Sequence, residues 1–395
     1  MSILPPDLIT EILLRLPVKS LVRFQCVSKP WQAQINGRVF IIIHLDFSIA
    51  ANRERHLIVM DYEGEMPRNF SGVRFNDDDR FEEALVNIHQ PLLNAGHNTQ
   101  IVNYCNGLVC IHNYGRGIVI WNPLIRRYKT LPFEPVGFTD CMSRLPNVAF
   151  GHDPVNDDYK VMRVVEFNTE IDAKSAIEVK VYSLRAHSWK TVEEEWPKEF
   201  SPASPYSSSM SLNGAFHWLV DPISGPQYRQ TLLAFDLATE KFRKYTIPVQ
   251  PNDDSTLGLE VLKGCICVCL NVGVTLNDVW VMKEYGVVGS WTRLYTIVQG
   301  AVPWTFEYCK PLVYSKDGKK VLMQQDFEYL FWYDIEEKRG TSVELDGMPN
   351  SFETAICVGS LVLLDGDSVY DNPADDLNLL MEAIEEEVIN EEQAV

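Results

Sequence analysis

The chain has 395 residues, 46% of them hydrophobic, which is room for a small leading domain and a large one with a proper core. Its formal charge of −19 disfavours a nucleic-acid partner, whose binders present basic surface, and favours basic or lysine-bearing partners. No apolar run reaches the roughly eighteen residues of a membrane span; with no signal peptide at the front and nine cysteines in no paired framework, a cytosolic or nuclear protein is expected.

Taken in chain order, the first stretch is Leu4-Pro5-Pro6-Asp7-Leu8 through Leu16-Pro17. Pro5 and Pro6 suit a helix entrance, where a missing N–H costs nothing, and Asp7 complements the positive end of the helix dipole. Leu8, Ile9, Ile12, Leu13 and Leu16 cover an arc of about 140° on such a helix, with Leu14 on the opposite side. Pro17 ends this helix and can open a second over Val18 to Val27. Ser28 is placed to cap a short third helix carrying Trp31, with Pro30 in its first turn. Three short helices cannot bury so many large apolar groups among themselves. The excess must meet either the rest of the chain or a separate subunit.

Residues Leu4 to Trp31 follow, position by position, the pattern Leu-Pro-x-Asp-Leu-x-x-Glu-Ile-Leu-x-Arg-Leu-Pro-Val-Lys-Ser-Leu-x-Arg-Phe-x-Cys-Val-Ser-Lys-x-Trp, and so resemble the F-box. The resemblance implies binding to the Skp-type adaptor of a Skp–cullin–F-box ubiquitin ligase, and through it to a cullin–RING assembly. The contacts it carries over are Leu4, Pro5, Leu8, Ile12, Leu13, Leu16, Pro17, Val18, Leu21, Cys26, Val27 and Trp31. Some of these must instead hold the helices together, and the sequence does not divide them.

From Val39 onward helical periodicity fades, and short β-rich runs recur between turns. Ile118-Val119-Ile120-Trp121-Asn122 … Tyr128, Val179-Lys180-Val181-Tyr182-Ser183 … Trp189 and Leu233-Ala234-Phe235-Asp236 … Phe242 share one cadence. An apolar strand ends in an aromatic and a polar pivot, and a second aromatic follows six positions later. Val279 to Met282 with Trp291, and Phe331 to Asp334, are looser copies; His56 to Asp61 is a weaker one at the front. Pivots at 61, 122, 183, 236, 282 and 334 step by 46 to 61 residues, close to the ~50 of kelch-like propeller blades. Asn106-Gly107, Asn213-Gly214 and Lys263-Gly264 each read as a turn entering a buried strand. The prediction is a mainly β protein with a small N-terminal α domain: a three-helix F-box over 1–40, a divergent kelch-like six-bladed β-propeller over 41–365 and an acidic tail over 366–395.

Asn103-Tyr104-Cys105-Asn106-Gly107-Leu108, Trp121-Asn122-Pro123, Phe150-Gly151-His152-Asp153-Pro154 and Val279-Trp280-Val281-Met282 are similar to the F-box-associated domain, type 1, of large plant F-box repertoires. That family is regarded as a β-propeller, and the resemblance implies that it holds the target protein while the F-box attaches it to the ligase. The stretches between blades carry Phe138, Trp196, Phe200, Tyr206, Trp304, Phe306 and Tyr308, and aromatics on variable loops are the usual material of binding hot spots. These seven are the candidate target contacts.

Nothing in the sequence argues for catalysis, a metal or a cofactor. Cys265, Cys267 and Cys269 alternate on one strand face but lack the CxxC-type pairs that zinc takes. Asp153, Asp157 and Asp158 read as a polar turn rather than a calcium loop, and His217 as a core residue rather than a base. GxSxG, GxxxxGK and HExxH are absent. The function expected is a substrate receptor of the ligase, not an enzyme. The alternative is an F-box-bearing propeller that binds or acts on a small ligand such as a glycan, which needs a charged pocket at the propeller axis. Two further expectations concern the ends. Leu377, Leu380, Met381, Ile384 and Val388 form the stripe of a loosely docked acidic helix. Cys357 to Leu364 reads as the first half of a repeat whose second half lies at Leu57 to Asp61 and Phe70 to Phe75, so the two ends should share one blade.

Overall fold

A computed structural model describes residues 5–364 and 368–369, apart from 63–68, 77, 82–83, 89, 92–98, 114–116, 135–145, 169–174, 202–208 and 225–229. Four helices lead the chain: α1 (Pro6–Leu13), α2 (Val18–Phe24), α3 (Lys29–Ile35) and α4 (Arg38–Ala50). Ser28 caps α3 as expected, its Oγ accepting from the Trp31 N–H at 3.3 Å, and Pro30 fits in the first turn. The fourth helix corrects the expectation of β structure from Val39. Val39, Ile41, Ile42 and Ile43 are β-branched and favour strands, yet Phe40, Ile41, His44, Leu45 and Ser48 recur on one helical face and are buried. Packing overrides propensity here.

The rest of the chain forms six antiparallel sheets of four strands each, one of them extended by a fifth. Five are continuous in sequence, with innermost strands Thr99–Cys105, Asn147–Asp153, Met210–Leu212, Ser255–Leu262 and Cys309–Tyr314. The sixth blade is shared between the chain ends, as expected. Phe352–Val358 is its innermost strand and pairs along Arg55–Asp61, which pairs in turn with Phe70–Arg74. The details differ from the half-repeat reading: Gly359 turns the chain out of the sheet, and 360–364 run on without strand pairing. Because the innermost strand comes from the C-terminal side, Asp61 ends the second strand of its blade, whereas Asn122, Ser183, Asp236, Met282 and Asp334 end third strands. The front copy of the cadence is therefore out of phase with the others.

The cadence has a local cause. The pivot side chain closes the turn from the third strand to the fourth: Asn122 Oδ1 accepts from the Leu124 N–H, Ser183 Oγ from Ala186, and Asp236 Oδ1 from Ala238 and Thr239. The turn then brings the second aromatic opposite the first, Trp121 against Tyr128, Tyr182 against Trp189 and Phe235 against Phe242. Ring centroids of the last two pairs lie 5.3 and 4.9 Å apart. Three of the turns from first to second strand use paired positive φ values, 53° and 79° at Asn106-Gly107. Gly107 is required twice over, since a Cβ there would lie 2.2 Å from the Ser360 Cβ.

The helices are not a separate globule. Leu13, Val18, Leu21, Ile35, Phe40, Ile41 and Leu45 share one core with Leu108, Ile118, Phe150, Leu184, Leu361 and Leu364 of the propeller. In a four-stranded blade the first and third turns emerge at one end, and the second turn and inter-blade loops at the other. The helices sit on the first end: Leu124 and Leu184 of third turns join this core, and Arg38 pairs with Asp157 of a first turn. The inter-blade loops therefore open at the end opposite the helices. The acidic stripe from Leu377 to Val388 lies outside the described residues.

Candidate functional site

Two surfaces stand out, one on the helices and one on the loop end. The structure divides the helical residues that the sequence left together. Leu13, Val18 and Leu21 are buried, and Leu16, Pro17 and Trp31 half-buried, Trp31 against Phe24 with ring centroids 5.5 Å apart. These hold the helices to one another and to the propeller. Pro5, Leu8, Ile12, Cys26 and Val27 face solvent, with Leu8 51%, Ile12 50% and Val27 61% exposed. Leu4 lies outside the described residues. The question whether the apolar excess meets this chain or another one thus has a divided answer: one face of α1 docks inward and the other is left bare. Sequence reasoning missed Val39, Ile42 and Ile43 of α4, all exposed, whose i, i+3, i+4 spacing was the available signal. Contiguous apolar exposure of this kind marks an interaction surface.

On the loop end the seven aromatics separate in the same way. Trp196, Phe200 and Phe306 are buried in blade cores, and these assignments are corrected. Trp196 packs edge-on against Trp218 and Phe242 and donates through Nε1 to the Phe200 carbonyl, so its loop folds back onto the sheet. Phe138 and Tyr206 lie outside the described residues. Trp304 and Tyr308 are half-buried: Trp304 stacks on Tyr329 at 4.2 Å, and Tyr308 on Phe327 at 5.6 Å and 4°. Phe327 is the residue the sequence did not flag. It is 38% exposed and holds φ at +59°, beside Asp326 at +49°. A left-handed conformation at a bulky residue costs of order 1–3 kcal/mol and needs a surrounding frame. That frame is present: Asp326 Oδ1 accepts from the Glu307 and Tyr308 N–H groups, and the Phe327 carbonyl accepts from the Phe352 N–H. Tyr62 of the closing blade meets the Phe327 ring edge-on at 6.0 Å.

The axis carries charge. Glu260, Lys310 and Glu353 stand on three innermost strands, with Tyr104 on a fourth, and Glu260 is 6% exposed. Burial pushes the Glu260 carboxyl up from 4.5 to about 7; Lys310 pulls it back and Glu353 pushes it further. A carboxyl whose value is raised on folding binds more protons folded than unfolded between those limits, so its cost to stability grows as pH rises from 4.5 to about 7. Glu260→Gln is expected to stabilise the protein by up to about 3 kcal/mol above that window and by little below it. Urea unfolding at pH 5 and pH 8 measures this, and an equal effect at both would refute it.

Other candidates resolve into structure. His217 is fully buried, hydrogen-bonded to the Met210 carbonyl and the Tyr285 hydroxyl, and burial lowers it to about 4. Asp153 caps its own turn through the Val155 and Asn156 N–H groups. Cys267 and Cys269 lie with sulfurs 3.8 Å apart in an apolar core. Among the described residues no cluster of three or more His, Cys, Asp or Glu could hold a metal ion, and no helix is long and apolar enough to cross a membrane.

Comparison with known proteins agrees with this architecture. Residues 56–366 match the model of the F-box associated beta propeller domain, and residues 1–42 that of the F-box domain. The F-box protein CPR1 of Arabidopsis thaliana is 32% identical over 92% of this chain and 89% of its own length. The F-box/kelch-repeat protein At3g23880 of the same plant is 30% identical over 81% of this chain and 85% of its own. Among solved structures, an oligogalacturonate lyase in complex with manganese has a TM-score of 0.43 at 7% identity, covering 76% of each chain.

Proposed function

Since the chain belongs to the F-box proteins that carry an F-box associated β-propeller domain, we propose that it is the substrate-recognition subunit of a Skp–cullin–F-box ubiquitin ligase. The bare face of the helices receives the Skp-type adaptor, and the loop end of the propeller binds a target protein in the cytosol or nucleus. The observation that carries this reading is the split of α1, with Leu13 sealed into the propeller-bound core while Leu8 and Ile12 stay half exposed. A helix that needed only its own chain would not keep two large aliphatic groups bare, and Val27, Val39 and Ile42 are exposed on the other helices as well.

The chain contributes proximity. Holding a target lysine near a charged ubiquitin carrier raises its effective concentration without any catalytic residue here, the chemistry lying in other subunits. What supports the loop end as the target side is its distance from the helices and the framed aromatic group of Trp304, Tyr308, Phe327 and Tyr329. The eight described cysteines are free thiols, in keeping with a reducing compartment. The alternative, a small ligand such as a glycan, draws on the axial Glu260, Lys310 and Glu353, and binding on a glycan array that Glu260→Gln removed would favour it.

The adaptor assignment is tested with Leu8→Ala and Ile12→Ala together. Full burial of each side chain is worth roughly 1.5–3 kcal/mol, and about half of each remains to be buried. Adaptor affinity should fall roughly ten- to a hundredfold, with the thermal midpoint unchanged. Unaltered affinity by calorimetry would sink the assignment.

A further inference from the structure

The negative charge of the chain is unevenly placed. Residues 365–395 hold eleven acids and no base, whereas residues 1–50 hold five bases against three acids. In the acidic segment Leu377, Leu380, Met381, Ile384 and Val388 are spaced i, i+3, i+4, i+7 and i+11. On a helix that spacing gives one apolar stripe, with Glu385 and Glu387 flanking it on either side. The exposed side of α2 has the complementary make-up. Val18 and Leu21 are buried in the core shared with the propeller, while Lys19, Val22 and Arg23, spaced i, i+3 and i+4, are exposed. Cys26 and Val27 carry this surface into the turn before α3, where Lys29 follows; all three are exposed. Lys19, Arg23 and Lys29 have no carboxylate within 4 Å among the described residues. The last described strand sets where the acidic segment begins. Ser368–Val369 pairs antiparallel with Arg127–Thr130, the fourth strand of the first continuous blade, with Val369 opposite Arg127. Arg127–Thr130 runs away from a third turn, so its partner runs toward that turn, and the chain leaves Val369 at the helix end. Arg126 of this turn and Lys19 of α2 line one cavity at the seam.

We propose that the acidic C-terminal segment, residues 371–395, docks on the exposed face of α2 of its own chain and shields that face from the adaptor. Reach allows it. Eight residues lead from Val369 to Leu377 and span up to about 26 Å when extended. Composition selects it. The apolar stripe covers Val22, Cys26 and Val27, and the flanking Glu385 and Glu387 face Lys19, Arg23 and Lys29. Ion pairs at such exposed positions are each worth little and are screened by salt, so the contact is weak and salt-sensitive. A tethered segment needs no more, because its link holds it at high effective concentration. Cys26 and Val27 are also two of the contacts that the F-box resemblance carries over, so segment and adaptor compete for one surface. The competition, unlike the docking, rests on the adaptor reading given above.

The test is hydrogen exchange on the full chain without adaptor. Residues 377–388 should exchange roughly tenfold more slowly than in a free peptide of the same sequence. Lys19→Glu with Arg23→Glu, at exposed positions, should remove that protection, as should Glu385→Lys with Glu387→Lys. The four changes together should restore it. The pair in the acidic segment, which leaves the helices untouched, should also raise adaptor affinity at least about fivefold by calorimetry. Absence of protection, or protection that survives either pair, would overturn the docking. Protection that grows with protein concentration would overturn the assignment to the same chain in favour of a second copy. An adaptor affinity unchanged by Glu385→Lys with Glu387→Lys would overturn the competition. A chain that binds no adaptor would instead refute the adaptor reading, and the exchange result, measured without adaptor, would stand.

Discussion

Ending the chain after Met348 should abolish the cooperative unfolding transition of the whole propeller, although it removes under a seventh of the sequence. The lost segment supplies the innermost strand Phe352–Val358, paired along Arg55–Asp61, and buries Phe352, Ile356, Leu361, Val362 and Leu364. Five such side chains at roughly 1.5–3 kcal/mol each match the entire stability of about 5–15 kcal/mol typical of a domain. The loss reaches further than its own blade. Asn122 Nδ2 donates to the Ser360 and Val362 carbonyls at 3.0 and 3.1 Å, so the exit segment also ties down the neighbouring blade. Removing Phe352–Val358 leaves the edge of Arg55–Asp61 unpaired, the hazard that closure removes. Ending the chain after Tyr370 instead keeps every one of these contacts and should leave the thermal midpoint within a degree or two. Equal midpoints for the two truncations would refute closure by the chain ends.

The second large effect is expected inside the helices. Leu21→Ala should lower the stability of the propeller itself, by about 2–5 kcal/mol, because Leu21 is fully buried in a core shared with Leu108, Phe150 and Leu361. Leu8→Ala should not, its side chain being half in solvent already. Differential scanning calorimetry distinguishes the two. A Leu21→Ala protein whose propeller melts at the parent temperature would mean that the helical domain is only tethered.

How far the sequence could be read depended on the range of the interactions involved. The blade cadence was legible because its cause is local: Asp236 and Asn122 cap turns two or three residues away, and the turn sets Phe242 opposite Phe235. Closure was legible because each chain end carries part of a repeat, one strand on the C-terminal side and three at the front. The helix α4 was not, since Val39 to Ile43 satisfies strand preferences and only its contact with the propeller selects the helix. The adaptor residues could be collected from the sequence but not divided, because Leu8 and Leu13 sit on one helix and differ only in what lies beyond it. The loop aromatics failed for a related reason. Trp196 and Trp304 both follow a fourth strand, and nothing in their neighbours tells that one folds back onto Trp218 while the other stays at the rim. Phe327 stood in a short turn inside a blade, where length gave no hint of an exposed ring held at positive φ.

The claim on which the account rests is that one chain joins a ligase adaptor to a target, with separate faces for each. It is tested most directly in cells with the proteasome blocked, by purifying the chain and probing what comes with it for attached ubiquitin. The parent chain should carry ubiquitin-laden partners, and the Leu8→Ala, Ile12→Ala chain should carry the same partners without ubiquitin. Equal ubiquitin on the partners of both chains would contradict the account.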